Sequence, residues 1–484
     1  MSLTVCLLAS EVTPLSKTGG LADVSAALAK YLHAAGHDVR LFTPFYASID
    51  RARLTATPVA GLQDVELQLG LYGYRFSVSI ARLPRSTAPV YLIECPALFA
   101  RSSLYTTDPD EHLRFLAFTR AVFACCQRMA WSPQVLHCND WHTAFAPLFL
   151  KHSYDSDALF RRTRSILTIH NIGYQGAFSA SAVGDLSLGA KTYLLHQDDL
   201  RAGTINPLKH GIMYADAITT VSPTHAREIR TDQYGMGMQF ALRARGAAVT
   251  GILNGVDYDE WDPRIDRYLP RHYDADSLEV KAEIKRGFLQ RLGLTSGPHV
   301  ALAGIVTRLA SQKGIDLMFD SLPEVLRWRE LSVVALAAGD PQYEQFLTEL
   351  QAEFPGRVVF RRGYDEEFAH WVEAASDLFL MPSRYEPCGL NQMYSLRYGT
   401  VPIVRKTGGL ADSVEPYDPN TGFGTGVVFN DFNSEGLEWA LNTALDLYAA
   451  PTHWARLVRS GMSRDFSWKR QGALYVDLYE KLLA

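Results

Sequence analysis

The residues best suited to chemistry lie in four short clusters. The first is Lys17, Thr18, Gly19 and Gly20, in the segment that follows a short apolar run. Glycines let backbone N–H groups at a helix start approach an anion closely, and a lysine shares the charge. The second pairs Arg308 with Lys313 in the segment from Thr307 to Gly314. The third runs from Ser383 to Leu390 and places Glu386 ahead of Pro387, Cys388 and Gly389. The fourth gathers imidazole, carboxylate and amide groups: His137, Asn139, Asp140 and His142, then His170 and Asn171. Breaking a sugar–diphosphate bond develops negative charge on the departing phosphate. Fixed amides, Arg and Lys are the groups that stabilise it, and those of the fourth cluster suit sugar hydroxyls.

Each cluster also has a plainer reading. Arg308 and Lys313 are either phosphate ligands or solvated surface; Glu386 is either a ligand-facing carboxylate or a helix cap. His137 and His142 are either site residues or satisfied core histidines. One observation favours a site: Lys17-Thr-Gly-Gly-Leu-Ala-Asp23 recurs without change as Lys406-Thr-Gly-Gly-Leu-Ala-Asp412. The repeat is either a duplicated glycine turn or a pair of anion-facing loops.

These clusters need elements that present them. Thr4 to Ala9 reads as a strand, and Leu21, Val24, Leu28 and Leu32 recur at helical spacing until Gly36. Val39 to Thr43 resumes as a strand, completing a βαβ unit. A helix is predicted from His112 to Met129, with strands at Val135 to His137, Ser165 to His170 and Ile218 to Val221. Residues 228–247 carry little periodicity and read as a flap. After Asn254 the alternation is regular. Strands at His299–Thr307, Leu331–Ala338, Val358–Arg361, Asp377–Pro382 and Thr400–Arg405 are spaced by helices, which is the pattern of a parallel sheet covered on both faces. Strand ends are where open α/β sheets hold ligands, and the second and third clusters sit at such ends.

Composition bounds the alternatives. The 484 residues are 47% apolar and 20% charged, enough for two or three globular domains. A formal net charge of -5 argues against a general nucleic-acid or anionic-membrane binder. Six cysteines without paired spacing indicate neither a zinc site nor a disulfide framework. No basic n-region marks a signal peptide, and no apolar stretch nears the roughly 20 residues of a membrane span. A reducing, cytoplasmic compartment is therefore expected.

Taken in order, Lys17-Thr-Gly-Gly-Leu21, Asn139-Asp-Trp-His142, His170-Asn171, Asn254-Gly-Val256, Arg308 with Lys313, and Glu386-Pro-Cys-Gly-Leu390 resemble the motif series of bacterial glycogen synthases and plant starch synthases. The resemblance covers nearly the whole chain. It implies a GT-B fold: two Rossmann-like α/β domains facing across a deep cleft that closes on substrate. It divides the chain into residues 1–250 on the acceptor side, 251–455 on the donor side, and a helix in 456–484 that packs back on the first domain. The implied reaction is a hexosyl transfer: glucose passes from ADP-glucose to the non-reducing 4-hydroxyl of an α-1,4-glucan such as glycogen, with retention, releasing ADP.

By the same resemblance Lys17 and the Gly19 and Gly20 amides lie at the donor diphosphate, and Arg308 and Lys313 bind its phosphates. Glu386 holds the glucose or stabilises the oxocarbenium, aided by the backbone of Cys388, Gly389 and Leu390. Asp140, His142 and His170 line the sugar pocket, with Asn171 and Asn254 near, Tyr105 and Tyr364 around the cleft, and Thr407, Gly408 and Gly409 at the distal phosphate and ribose. No metal or other cofactor is implied, so Asp-x-Asp triplets at Asp108 and Asp257 are read as chance.

Two departures matter. Asn139 stands where many bacterial members have histidine, and Tyr394 where the broader retaining pattern has a second glutamate. Three other readings remain open. They are a different retaining nucleotide-sugar transferase, such as one using UDP-glucose, a glucan phosphorylase with a pyridoxal-bearing lysine, and a non-catalytic glucan-binding scaffold.

Overall fold

The computed structural model describes residues 2–484, and its backbone divides into two units. The first comprises the chain up to Gly255 together with Trp468–Ala484, and the second is Val256–Ser467. These boundaries fall later than 250 and 455. The loop through Asn254 and Gly255 still packs with the first unit, and the helix Pro451–Met462 belongs to the second.

The first unit is built on seven parallel strands. In spatial order they are Val249–Gly251, Ala217–Thr220, Arg164–Ile169, Val135–Asn139, Thr4–Leu8, Asp38–Pro44 and Pro89–Glu94. The sequence order reverses between Thr4–Leu8 and Val135–Asn139, which creates a switch point at their carboxyl ends. Every residue from Val5 to Leu8 is buried, as a central strand covered on both faces requires. An antiparallel arm, Val65–Leu69 with Tyr72–Arg82, extends the far edge. Phe76 and Val78 of that arm are buried at period two.

The helix Gly20–Ala34 buries Leu21, Val24, Leu28 and Leu32 and gives way to Gly36 at φ 86°. Residues 228–247 are not a structureless flap. They contain the helix Gln239–Arg245, and the Arg230 guanidinium donates to the carbonyls of Gly246 and Val249. The chain re-enters this unit through the helix Trp468–Leu483. There Tyr479 and Tyr475 are fully buried, the Tyr479 hydroxyl lies 2.7 Å from His137 Nδ1, and Gly472 seats the ring of Tyr31. His137 is also 2.6 Å from the Thr168 hydroxyl, so it is a core residue that anchors the returning helix.

The second unit is an all-parallel six-stranded sheet. Its spatial order is Val358–Arg362, Leu331–Gly339, Ala301–Leu309, Leu378–Met381, Val401–Arg405 and Val427–Phe429. Numbered by sequence this is 3-2-1-4-5-6, the order of a dinucleotide-binding Rossmann sheet. Its switch point lies between Ala301–Leu309 and Leu378–Met381. Among the described residues no helix is long and apolar enough to cross a membrane, and the six cysteines are buried thiols.

Candidate active site

The candidate catalytic residues of each unit lie at or beside its own switch point. In the second unit, Arg308 is the penultimate residue of the strand Ala301–Leu309, and Ser383 to Glu386 follow the strand Leu378–Met381. Lys313 Nζ donates to Glu386 Oε2 at 2.6 Å, and the Ser383 hydroxyl donates to the same oxygen at 3.1 Å. Both partners of the ion pair are largely buried, so the pair is screened less than a surface one. Two further bonds join the loops: the Arg384 amide donates to the Gln312 carbonyl, and the Gln312 side chain donates to the Tyr385 carbonyl. Gly314 closes the turn at φ 68°, where an added Cβ would lie 2.0 Å from the Pro382 carbonyl oxygen. Arg308 is exposed at the strand end and has no ion-pair partner among the described residues.

Glu386 is not a helix cap. The helix that follows starts at Asn391, preceded by Leu390, which makes no side-chain cap. Asn391 instead donates to the Val306 carbonyl at 2.7 Å. The buried Gln392 amide donates to the carbonyls of Cys388 and Gly389, each at 3.0 Å, and fixes that backbone. Tyr394 stacks face to face on Trp261, with centroids 4.1 Å apart and planes 1° from parallel, and Trp261 stacks in turn on His370 at 3.7 Å. The position of the second carboxylate is thus part of an aromatic stack. Tyr364 stands past the edge strand Val358–Arg362, 65% exposed, its hydroxyl donating to Glu366.

In the first unit, Asn139 and Asp140 end the strand Val135–Asn139, and His170 and Asn171 follow Arg164–Ile169. Asp140 adopts φ 53°, a strained value that Asp tolerates better than most residues and that is typical of site geometry. Its Oδ1 accepts the His170 amide at 2.7 Å and the Asn171 amide at 3.4 Å. Burial pushes the Asp140 carboxyl up to about 7 against the pull of those two amides, and the Glu11 charge adds to the rise. Burial lowers His170 to about 3 and His142 well below the usual range, so both imidazoles are neutral near pH 7. Asn139 anchors His170. Its Nδ2 donates to the Leu8 carbonyl at 2.9 Å, which turns Oδ1 toward His170 Nε2 at 2.8 Å. An amide oxygen only accepts, so Nε2 carries the proton and Nδ1 is the acceptor of the ring.

His142 is buried against Tyr105, Phe115 and Trp141, stacking on Tyr105 with centroids 4.7 Å apart. Its Nδ1 has no partner among the described residues, nor has Oδ1 of the buried Asn254. Glu11 was not legible as a site residue. It lies 3% exposed just beyond the strand Thr4–Leu8 and accepts the amides of Thr18 and Gly19, the Thr18 hydroxyl and the Tyr105 hydroxyl. The signal that could have found it is a lone carboxylate following a central strand.

The two identical loops have opposite surroundings. A Cβ on Gly19 would meet nothing within 4 Å, whereas on Gly408 and Gly409 it would lie 1.9 and 2.1 Å from the carbonyl oxygens of Glu386 and Cys388. The Gly409 amide donates to the Glu386 carbonyl at 3.0 Å. The second copy, with Thr407 and both glycines buried, therefore props the backbone that carries Glu386. In the first copy Lys17 pairs with Asp23 at 2.9 Å, and both side chains remain partly exposed.

Comparison with known proteins agrees with this geometry. Residues 4–244 match the family model for the starch synthase catalytic domain, and 296–459 match that for glycosyl transferases group 1. The chain is 43% identical to a glycogen synthase of Anaeromyxobacter dehalogenans, covering 99% of each chain. It is 41% identical to one of Koribacter versatilis, over 99% of this chain and 98% of the relative. The catalytic domain of starch synthase IV from Arabidopsis thaliana, solved with ADP and acarbose, superposes with a TM-score of 0.92 at 34% identity over the whole of both chains. A sucrose-phosphate synthase of Thermosynechococcus elongatus shares the fold alone, at a TM-score of 0.63, 17% identity and 99% and 98% coverage. This chain belongs to the glycogen synthase and starch synthase family of GT-B glycosyltransferases.

Proposed function

We propose that this enzyme is a glycogen synthase, which transfers glucose from ADP-glucose to the non-reducing 4-hydroxyl of an α-1,4-glucan and releases ADP. The observation that carries the proposal is the Lys313–Glu386 pair at the switch point of a Rossmann sheet, with Arg308 exposed beside it. Relatives named glycogen synthase at 43% and 41% identity, and a starch synthase holding ADP and acarbose, support nucleotide and glucan as the ligand classes.

In this reading Arg308 and Lys313 meet the donor phosphates and stabilise the charge that develops as the glucosyl C1–O bond breaks. Glu386, held ready by Lys313 and Ser383, faces the positive charge growing on the sugar. Neutral His170 offers Nδ1 to a sugar hydroxyl, and Asp140 orients the His170–Asn171 backbone. Retention is achieved on one face. The acceptor O4 bonds to C1 as the diphosphate departs, and the leaving phosphate oxygen takes the acceptor proton. Double displacement would need a free carboxylate close to C1, whereas both Glu386 and Asp140 are engaged by donors. Trapping a glucosyl ester on either residue by mass spectrometry would refute the one-face route. Positive charge comes from Arg308 and Lys313 in this scheme, so no metal is needed, and activity is expected to persist in EDTA.

The deciding experiment is glucan-dependent ADP release from ADP-glucose, with UDP-glucose as competitor. Release only with glucan and preferentially from ADP-glucose is expected. Preference for UDP-glucose would overturn the donor assignment, and no release from either would favour a glucan-binding scaffold.

A further inference from the structure

Glu11 takes no part in the transfer as described, yet it is the most heavily engaged acidic group of the first unit's switch point. Its Oε2 accepts the Thr18 amide and, at 3.2 Å, the Gly19 amide. Its Oε1 accepts the Thr18 hydroxyl and the Tyr105 hydroxyl, each at 2.6 Å. A carboxylate here sits on the amides that precede the helix Gly20–Ala34, where a phosphate would otherwise be favoured. Tyr105 is held from a second side by the Ser10 hydroxyl at 2.8 Å, and its ring backs His142. Burial, then the neighbouring Tyr46 and Glu11, raise the Tyr105 hydroxyl well above its usual range, so it remains a proton donor to Glu11.

We infer that Glu11 is a positioning residue for the transfer: it buckles the Lys17–Gly20 loop to the end of the central strand and, through Tyr105, sets the ring of His142. The inference rests on the glycosyl transfer proposed above. It divides the labour of the loop, because the Thr18 and Gly19 amides are engaged by Glu11 while Lys17 pairs with Asp23. In the identical loop at Lys406 the Gly409 amide donates to the Glu386 backbone carbonyl.

The test compares Glu11→Gln with wild type, alongside Tyr105→Phe and the double variant. Glutamine keeps the size of the side chain but turns an NH₂ group toward donors. A misplacement of order 1 Å costs about 10²-fold in rate, so kcat of Glu11→Gln is expected to fall by about that factor. The KM for ADP-glucose should rise far less than kcat falls, a split that a merely structural role would not produce. The double variant should lose less than the product of the two single losses, because both substitutions break one link. Wild-type kcat in folded Glu11→Gln, or fully multiplicative losses, would overturn the inference. Should Glu11→Gln not fold, Tyr105→Phe decides alone, since it removes a single hydroxyl; a lowered kcat supports the link and an unchanged one sinks it. Wild-type protein that releases no ADP would overturn the transfer reading, and the inference with it, before any variant is made.

Discussion

Lys313 and Glu386 are 73 residues apart in sequence and 2.6 Å apart in space, and both are largely buried. Removing the lysine withdraws a cation from the leaving phosphate and leaves a buried carboxylate unpaired. Arg308, exposed at its strand end, lacks that second role. Both Arg308→Ala and Lys313→Ala are expected to lower kcat by about 10²–10³, the range for deleting one preorganised charge-stabilising donor. Only Lys313→Ala should also lower the melting temperature, and glycogen binding should survive in both. Equal melting losses would show that Arg308 is structural.

Asp140 supplies a pH signature at the same scale. Its carboxyl is raised from the usual 3.8 to about 7, so the folded protein keeps a proton that the unfolded chain releases near pH 4. That contribution to stability is fully present below about pH 4 and is lost as the pH rises through about 7. Asp140→Asn abolishes the titration. Relative to wild type the variant should therefore gain melting temperature steadily from pH 4 to 7 and hold a constant offset above that. A pH-independent offset would mean that Asp140 titrates as an ordinary carboxyl.

At the scale of elements, both sheets expose their candidate groups where strand order reverses, and the repeated loop shows how context divides one sequence into two jobs. Gly408 lies against the Glu386 backbone at φ 43°, while its counterpart Gly19 has open space around its Cβ position and an extended backbone at φ -157°. Gly408→Ala is therefore expected to destabilise the second unit by roughly 1–3 kcal/mol through overpacking and to displace Glu386, lowering kcat. Gly19→Ala should leave the melting temperature unchanged. Differential scanning calorimetry of the two variants checks this, and equal melting shifts would contradict the assignment. The elements themselves were largely legible: the helix predicted from His112 to Met129 is observed as Glu111–Arg128, because helical periodicity is local. The antiparallel arm was not, since its alternation is short and its pairing is set by partners elsewhere in the chain.

At the scale of the whole molecule, the final helix completes the first unit rather than trailing from the second. Gly472 faces the Tyr31 ring, where a Cβ would come within 2.2 Å, and Tyr479 reaches His137. Gly472→Val should destabilise the first unit well beyond Tyr479→Phe, which loses one buried hydrogen bond worth about 1 kcal/mol. Urea unfolding of the two variants distinguishes them, and similar midpoints would indicate that the helix packs loosely.

The sequence by itself determined the inventory of reactive groups, the alternation of strand and helix, and the family, all of which depend on residue type and short-range spacing. Only the tertiary structure decided who partners whom. Glu11 meets Tyr105 across 94 residues, Asn139 orients His170, and Tyr394 stacks on Trp261 where a carboxylate was the family alternative. The two Lys-Thr-Gly-Gly loops make the point most directly. Their residues are the same, yet the Glu11 carboxylate accepts the Gly19 amide of one and the Glu386 carbonyl accepts the Gly409 amide of the other, because hydrogen bonds form with whatever the path of the chain brings within reach.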